Sequence, residues 1–153
     1  MTAANQSGST ISNGAGTDQA LAAEFERNRY NPCVGHILIS QDERTRVWYI
    51  RLRPGERIGY HRHVLDYFWT CLMAGRAQSR INGGDPSERS YEAGETMHMT
   101  YASGEFMIHD LENTGTTDLA FMTVELLESA NKPLPLPEGI KPTGTIPDRL
   151  SFL

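Results

Sequence analysis

Cysteine is scarce in this chain: Cys33 and Cys71 are its only two among 153 residues. Two thiols build neither a disulfide framework nor a four-cysteine zinc site, so reduced side chains are expected. Long apolar runs are missing too, and "YFWTCLMA" falls far short of a helical membrane span. No basic segment followed by an apolar one opens the chain, so no secretory leader is expected. Cations are in deficit, with 14 Lys+Arg against 19 Asp+Glu and a formal net charge of −5. That balance excludes a basic footprint for nucleic acid or an anionic membrane. No strand–helix alternation is visible, which argues against a parallel sheet. These absences describe a soluble, acidic, cytoplasmic protein of one domain, long enough to bury its own core.

What is present is mostly β. In "RTRVWYIRLRPG", Trp48, Ile50 and Leu52 alternate with Tyr49, Arg51 and Arg53, the pattern of a half-buried strand. "LDYFWTCLM" is apolar on both faces, as a strand between two layers would be. "NGGD" is a hairpin turn signal, and "EFMIHDLENTGTTDLAFMTVELLE" reads as two strands joined by "NTGTTD". Many short strands separated by turn residues predict an all-β sandwich or small barrel. Three regions follow. Residues 1–18 are rich in Gly, Ser, Asn and Thr and read as a disordered tail. Residues 19–130 form the barrel, led by a short helical stretch capped by Thr17 or Asp18. Residues 131–153 carry five prolines and read as an extended arm over the body or over a neighbour.

The chemistry sits in "GERIGYHRHVLDYFWTCLMAG". On a strand, His61 and His63 point the same way because side chains alternate with period two. His109, in "MIHDLENTG", can join them only if the sheet curls back on itself. Imidazole suits iron, nickel, copper, zinc and manganese alike. Three such ligands would leave one face of an ion open, as catalytic sites require.

The stretch resembles the first motif of the cupin superfamily: a glycine, five residues, His-x-His, three or four residues, a glutamate, six residues and a glycine. Gly55, His61, His63 and Gly75 fall on that spacing, and His109 with Asn113 resembles the end of the second motif. The resemblance spans about residues 45–127 and implies an all-β, single-domain cupin barrel of the jelly-roll type. Two departures stand out. Counting back from Gly75 puts Phe68 where the family has its glutamate ligand, with Asp66 the nearest carboxylate. The second motif lacks its usual proline, and Glu105 stands at the usual histidine spacing.

The resemblance implies a mononuclear metal site of His61, His63 and His109, with Fe(II) the first choice and Zn, Ni or Mn as alternatives. Three-histidine iron sites are similar to those of cupin dioxygenases acting on thiols, diketones, gentisate or salicylate. The implied activity is therefore dioxygenation of a small organic or aromatic acid. An oxygen-independent lyase, hydratase or isomerase and a non-enzymatic small-ligand binder are the other readings. Asp66 is expected to fix a histidine N–H, and Tyr60 and Glu105 are the candidate acid/base groups. Arg51, Arg53, Arg76 and Arg80 are candidates for gripping a carboxylate. His36 and His98 have no partner at ligand spacing and read as structural or surface residues. The expected partners are a small-molecule substrate and a second copy in a homodimer, with no nucleic acid or membrane.

Overall fold

The computed structural model describes residues 17–147. Helix α1 occupies residues 17–27 and turns Leu21, Glu24 and Phe25 toward the body, the spacing of one helical face. It is already under way at Thr17 and Asp18, so these two lie inside it rather than ahead of it as caps or tail. The rest of the expected tail, residues 1–16, lies outside the described residues.

Nine strands follow: β1 Ile37–Gln41, β2 Thr45–Leu52, β3 Arg57–His63, β4 Tyr67–Met73, β5 Gly75–Ser79, β6 Ser87–Tyr91, β7 Thr96–Met99, β8 Met107–Asn113 and β9 Leu119–Leu126. They form two antiparallel sheets, ordered β1-β2-β9-β4-β7 and β3-β8-β5-β6. From β2 onward the chain crosses from one sheet to the other at every connection but that between β5 and β6, which folds it into a barrel and not a meander. The "NGGD" turn closes the β5–β6 hairpin, with Asn82 at φ 51° and Gly83 at φ 76°.

One end of the barrel is filled. Ile50, Leu52, Ile58, Cys71, Ala77, Leu111, Leu119 and Phe121 meet there from both sheets. Burying each large side chain is worth roughly 1.5–3 kcal/mol, against at most about 1 kcal/mol for an exposed ion pair such as Arg76–Glu88, so packing holds this end. Asn113 closes it with two N–H bonds, to Leu52 O at 2.9 Å and Thr117 O at 2.8 Å. Two expectations change. Tyr49, read as solvent-facing, is buried on the outer face of the first sheet with Ile37, Ile39 and Ala120. The outer side of β4 is not covered by a second layer, since Leu72 is 43% exposed.

The proline-rich segment lies on its own body over residues 131–147, and its last residues, 148–153, lie outside the described ones. Thr143 N and Gly144 N donate to Leu38 O and Ile39 O on the edge strand β1, at 3.0 and 2.8 Å. Leu136 packs on Val34, Leu38 and Trp48.

Beneath this arm, Glu125 is buried on the inward side of β9 and accepts the Trp48 indole N–H at 2.9 Å. Burial pushes its carboxyl up to about 7, outweighing the indole bond and the Arg46 charge. The folded state therefore holds this proton more tightly than the unfolded chain, and stability should fall as pH rises from about 4.5 to about 7. Glu125→Gln should remove about 3 kcal/mol of that pH-dependent loss, read as the difference between wild-type and variant urea unfolding free energies at pH 4.5 and 8. Parallel pH profiles for the two proteins would refute it.

Candidate metal centre

The pairing of β3 with β8 sets the site. Arg57 faces Glu112 and Ile58 faces Leu111, but the next pairs are His61 with His109 and His63 with Met107. Gly59 and Tyr60 together therefore oppose Asp110, which is a β-bulge. Three residues apart, Ile58 and His61 would otherwise face opposite sides. The bulge keeps Ile58 in the core and turns His61 and His63 into the barrel beside His109.

Ligand-capable nitrogens of the three rings all lie within 4.8 Å of one another, and His63 Nε2 is 3.1 Å from His109 Nε2. Two donors at that separation could both reach one ion. Hydrogen bonds on the far side fix two of the tautomers. His61 Nδ1 lies 2.9 Å from Gly59 O, a carbonyl that can only accept, so its proton is on Nδ1 and Nε2 keeps a lone pair. Ser79 Oγ donates to Asp110 O at 2.6 Å and accepts from His109 Nδ1 at 3.3 Å, which does the same for His109. His63 Nδ1 is buried without a partner, and its ring is held by stacking on Tyr67, 4.1 Å between centroids and 16° between planes.

Burial lowers the basicity of all three, His61 to about 4 and His63 and His109 well below the usual range, with neighbouring rings adding to the effect on the latter two. At neutral pH they are uncharged donors. Three neutral imidazoles with ring nitrogens this close together fit a bound cation. The cavity before them is small, about 60 Å³. Trp69, Tyr91 and Phe121 form its far wall, edge to face at 5.0–5.5 Å, and among the described residues no carboxylate lines it.

The other candidate residues lie elsewhere. Tyr60, turned outward by the bulge, packs its ring edge-on against Phe25 of α1 at 5.2 Å and does not line the cavity. Glu105 is exposed and accepts Ala102 N at 2.9 Å, capping its own turn. Asp66 accepts Tyr101 N at 3.0 Å, a backbone tether in place of a histidine N–H. Arg51, Arg53, Arg76 and Arg80 pair with Asp118, Glu56, Glu88 and Asp110. His98 faces Phe68 on the outer side of the sheet, and His36 is half-buried with an unpartnered Nδ1. Ser79 and Gly59 escaped sequence reading because serines and carbonyls that orient a ligand carry no spacing signal.

No protein-family model matches the chain. An oxalate-binding protein from Thermotoga maritima is 33% identical over 78 residues, a match covering 51% of this chain and 59% of that protein's length. A double-stranded β-helix protein from Klebsiella pneumoniae aligns at a TM-score of 0.48 and 21% identity, over 61% of this chain and 76% of that one. A cupin domain from Bordetella pertussis aligns at a TM-score of 0.51 and 24% identity, over 58% of this chain and 88% of that domain. The fold is a cupin.

On this fold the place of the glutamate in the resembled motif needs recounting. Phe68 points outward, opposite His98 and Val124. Tyr67 points inward, against His63. A register shift between Cys71 and Met73 in β4 throws off any count back from Gly75. Tyr67→Glu should then add an anionic donor beside the histidines and tighten Mn(II) binding by about an order of magnitude, with Phe68→Glu within about twofold of wild type. Isothermal titration of both variants checks it, and the reverse ranking would place the glutamate position at residue 68.

Proposed function

We propose that this cupin is a mononuclear non-haem iron protein that holds Fe(II) on His61, His63 and His109 and dioxygenates a small chelating acid. The observation that carries this reading is the trio of uncharged imidazoles facing a small cavity without a carboxylate. Neutral ligands leave the ion's double charge uncompensated, which favours an anionic, chelating partner. Bound there, iron would supply Lewis acidity and one-electron chemistry with dioxygen, and zinc, nickel or manganese Lewis acidity. The chain's own part is to orient and to exclude water. Gly59 O and Ser79 Oγ aim two rings, Tyr67 braces the third, and the Trp69–Tyr91–Phe121 wall keeps the ligand dry. Burial raises the phenols of Tyr67 and Tyr91, so both face the ligand as neutral groups.

A second reading, non-enzymatic capture of a small diacid, is favoured by the relative named an oxalate-binding protein. Oxalate is a small chelating dianion, the class of ligand that a divalent ion on neutral histidines would favour. An oxygen-independent lyase ranks lower, because Tyr60 and Glu105, its candidate proton carriers, face away from the cavity. Pairing into a homodimer belongs to the same proposal.

The test is protein loaded anaerobically with Fe(II), titrated with oxalate and a panel of small acids, and then exposed to oxygen at an electrode. One metal per chain and acid-dependent oxygen uptake are expected, both lost in His61→Ala. Tight acid binding without oxygen uptake would select the binding reading, and full metal occupancy in His61→Ala would sink both.

A further inference from the structure

We propose that helix α1 belongs to the metal centre: Glu24 is a positioning residue that orients His61 through a single peptide group, the one joining Gly59 to Tyr60. The two ends of that group are engaged from opposite sides. Its N–H, on Tyr60, donates to Glu24 Oε2 at 3.0 Å. Its carbonyl, on Gly59, accepts from His61 Nδ1 at 2.9 Å. The sequence of contacts runs carboxylate, peptide, imidazole. It does at one remove what a direct carboxylate–histidine pair does for a metal ligand. A negative charge at the N–H end polarises the amide and strengthens its carbonyl as an acceptor.

Three further observations single out this arrangement. A bulge takes an amide out of the strand ladder, and the Tyr60 N–H freed here finds a charged acceptor instead of lying buried and unpaired. Residue 59 is tight for a side chain, since a Cβ there would lie 3.2 Å from Glu24 Oε2 and 3.4 Å from its Cδ and would press on that carboxylate. Glu24 is itself locked, its two oxygens taking Arg57 Nη1 and Nη2 at 2.8 Å each, while Arg57 Nε reaches Asp110 Oδ2 at 2.7 Å. The carboxylate is thus pinned over the bulge by the strand that carries His61. Gluing a helix to the surface would not require contact with that one peptide group.

The inference deepens the metal reading but is testable without metal. Ring-nitrogen NMR of the metal-free protein should show His61 as a single Nδ1–H tautomer. In Glu24→Ala that resonance should broaden or split between tautomers, while Glu24→Gln, which keeps an acceptor and loses the charge, should keep the tautomer with a weaker Nδ1–H hydrogen bond. Zinc affinity measured by chelator competition should fall about tenfold in Glu24→Ala and less in Glu24→Gln. A wild-type His61 signal in Glu24→Ala overturns the proposal, whether or not the helix amides lose protection from exchange. Should Glu24→Ala not fold, an unshifted Nδ1–H resonance in Glu24→Gln overturns it equally. A wild type that binds no metal would sink the metal reading and leave the tautomer result to decide this one.

Discussion

The register between β3 and β8 is the constraint on which the centre depends. It sets His61 opposite His109 on the inside and leaves Asp110, one residue along, on the outside. A slip of one residue would exchange the two faces. Asp110 resists that slip from behind. Its carboxylate, fully buried, takes Arg57 Nε from β3 at 2.7 Å, Arg80 Nη1 at 2.7 Å and Arg80 N at 2.6 Å just beyond β5. A buried carboxylate this well partnered is costly to uncouple, because each strand would leave charge behind. The ion cluster on the outer face thus ties together the three strands that carry His61, His63, His109 and Ser79 on the inner one.

Much of this was legible in the sequence. The alternation of Trp48, Ile50 and Leu52 gave β2 its inward face, and the turn residues marked the hairpins. The spacing from Gly55 to His61 and from His109 to Asn113 was readable because those residues are neighbours in space: Gly55 N donates to Asn113 O at 3.0 Å. His109, not Glu105, joins the pair, since Glu105 belongs to a loop that caps itself. The illegible parts trace to single extra residues. One falls in β3 and turns Tyr60 outward, and another falls in β4 and makes a residue count point to Phe68 while Tyr67 lines the cavity. Periodicity cannot show a bulge, because the side chains on either side of it still alternate. The arginines misled for a different reason: a cation's role depends on which carboxylate folding brings to it, and that is a long-range property.

The centre is built almost without charge. Three imidazoles that burial keeps neutral, the phenol of Tyr67 stacked on one of them, and a wall of aromatic edges make a pocket whose polarity would come from whatever ion it holds. The protein's own charges are kept one layer out. Glu24, Arg57, Asp110 and Arg80 act on the cavity only through the backbone and through the rings they aim.

The hydrogen bonds from Thr143 and Gly144 to the rim of the first sheet have a consequence for how copies of this molecule can meet. An unpaired strand invites endless lateral addition of further strands. With carbonyls of β1 already spoken for by the chain's own proline-rich segment, growth along that rim is blocked at its first step, and proline itself offers no amide to restart it. A further strand could add to β1 only by first displacing this segment.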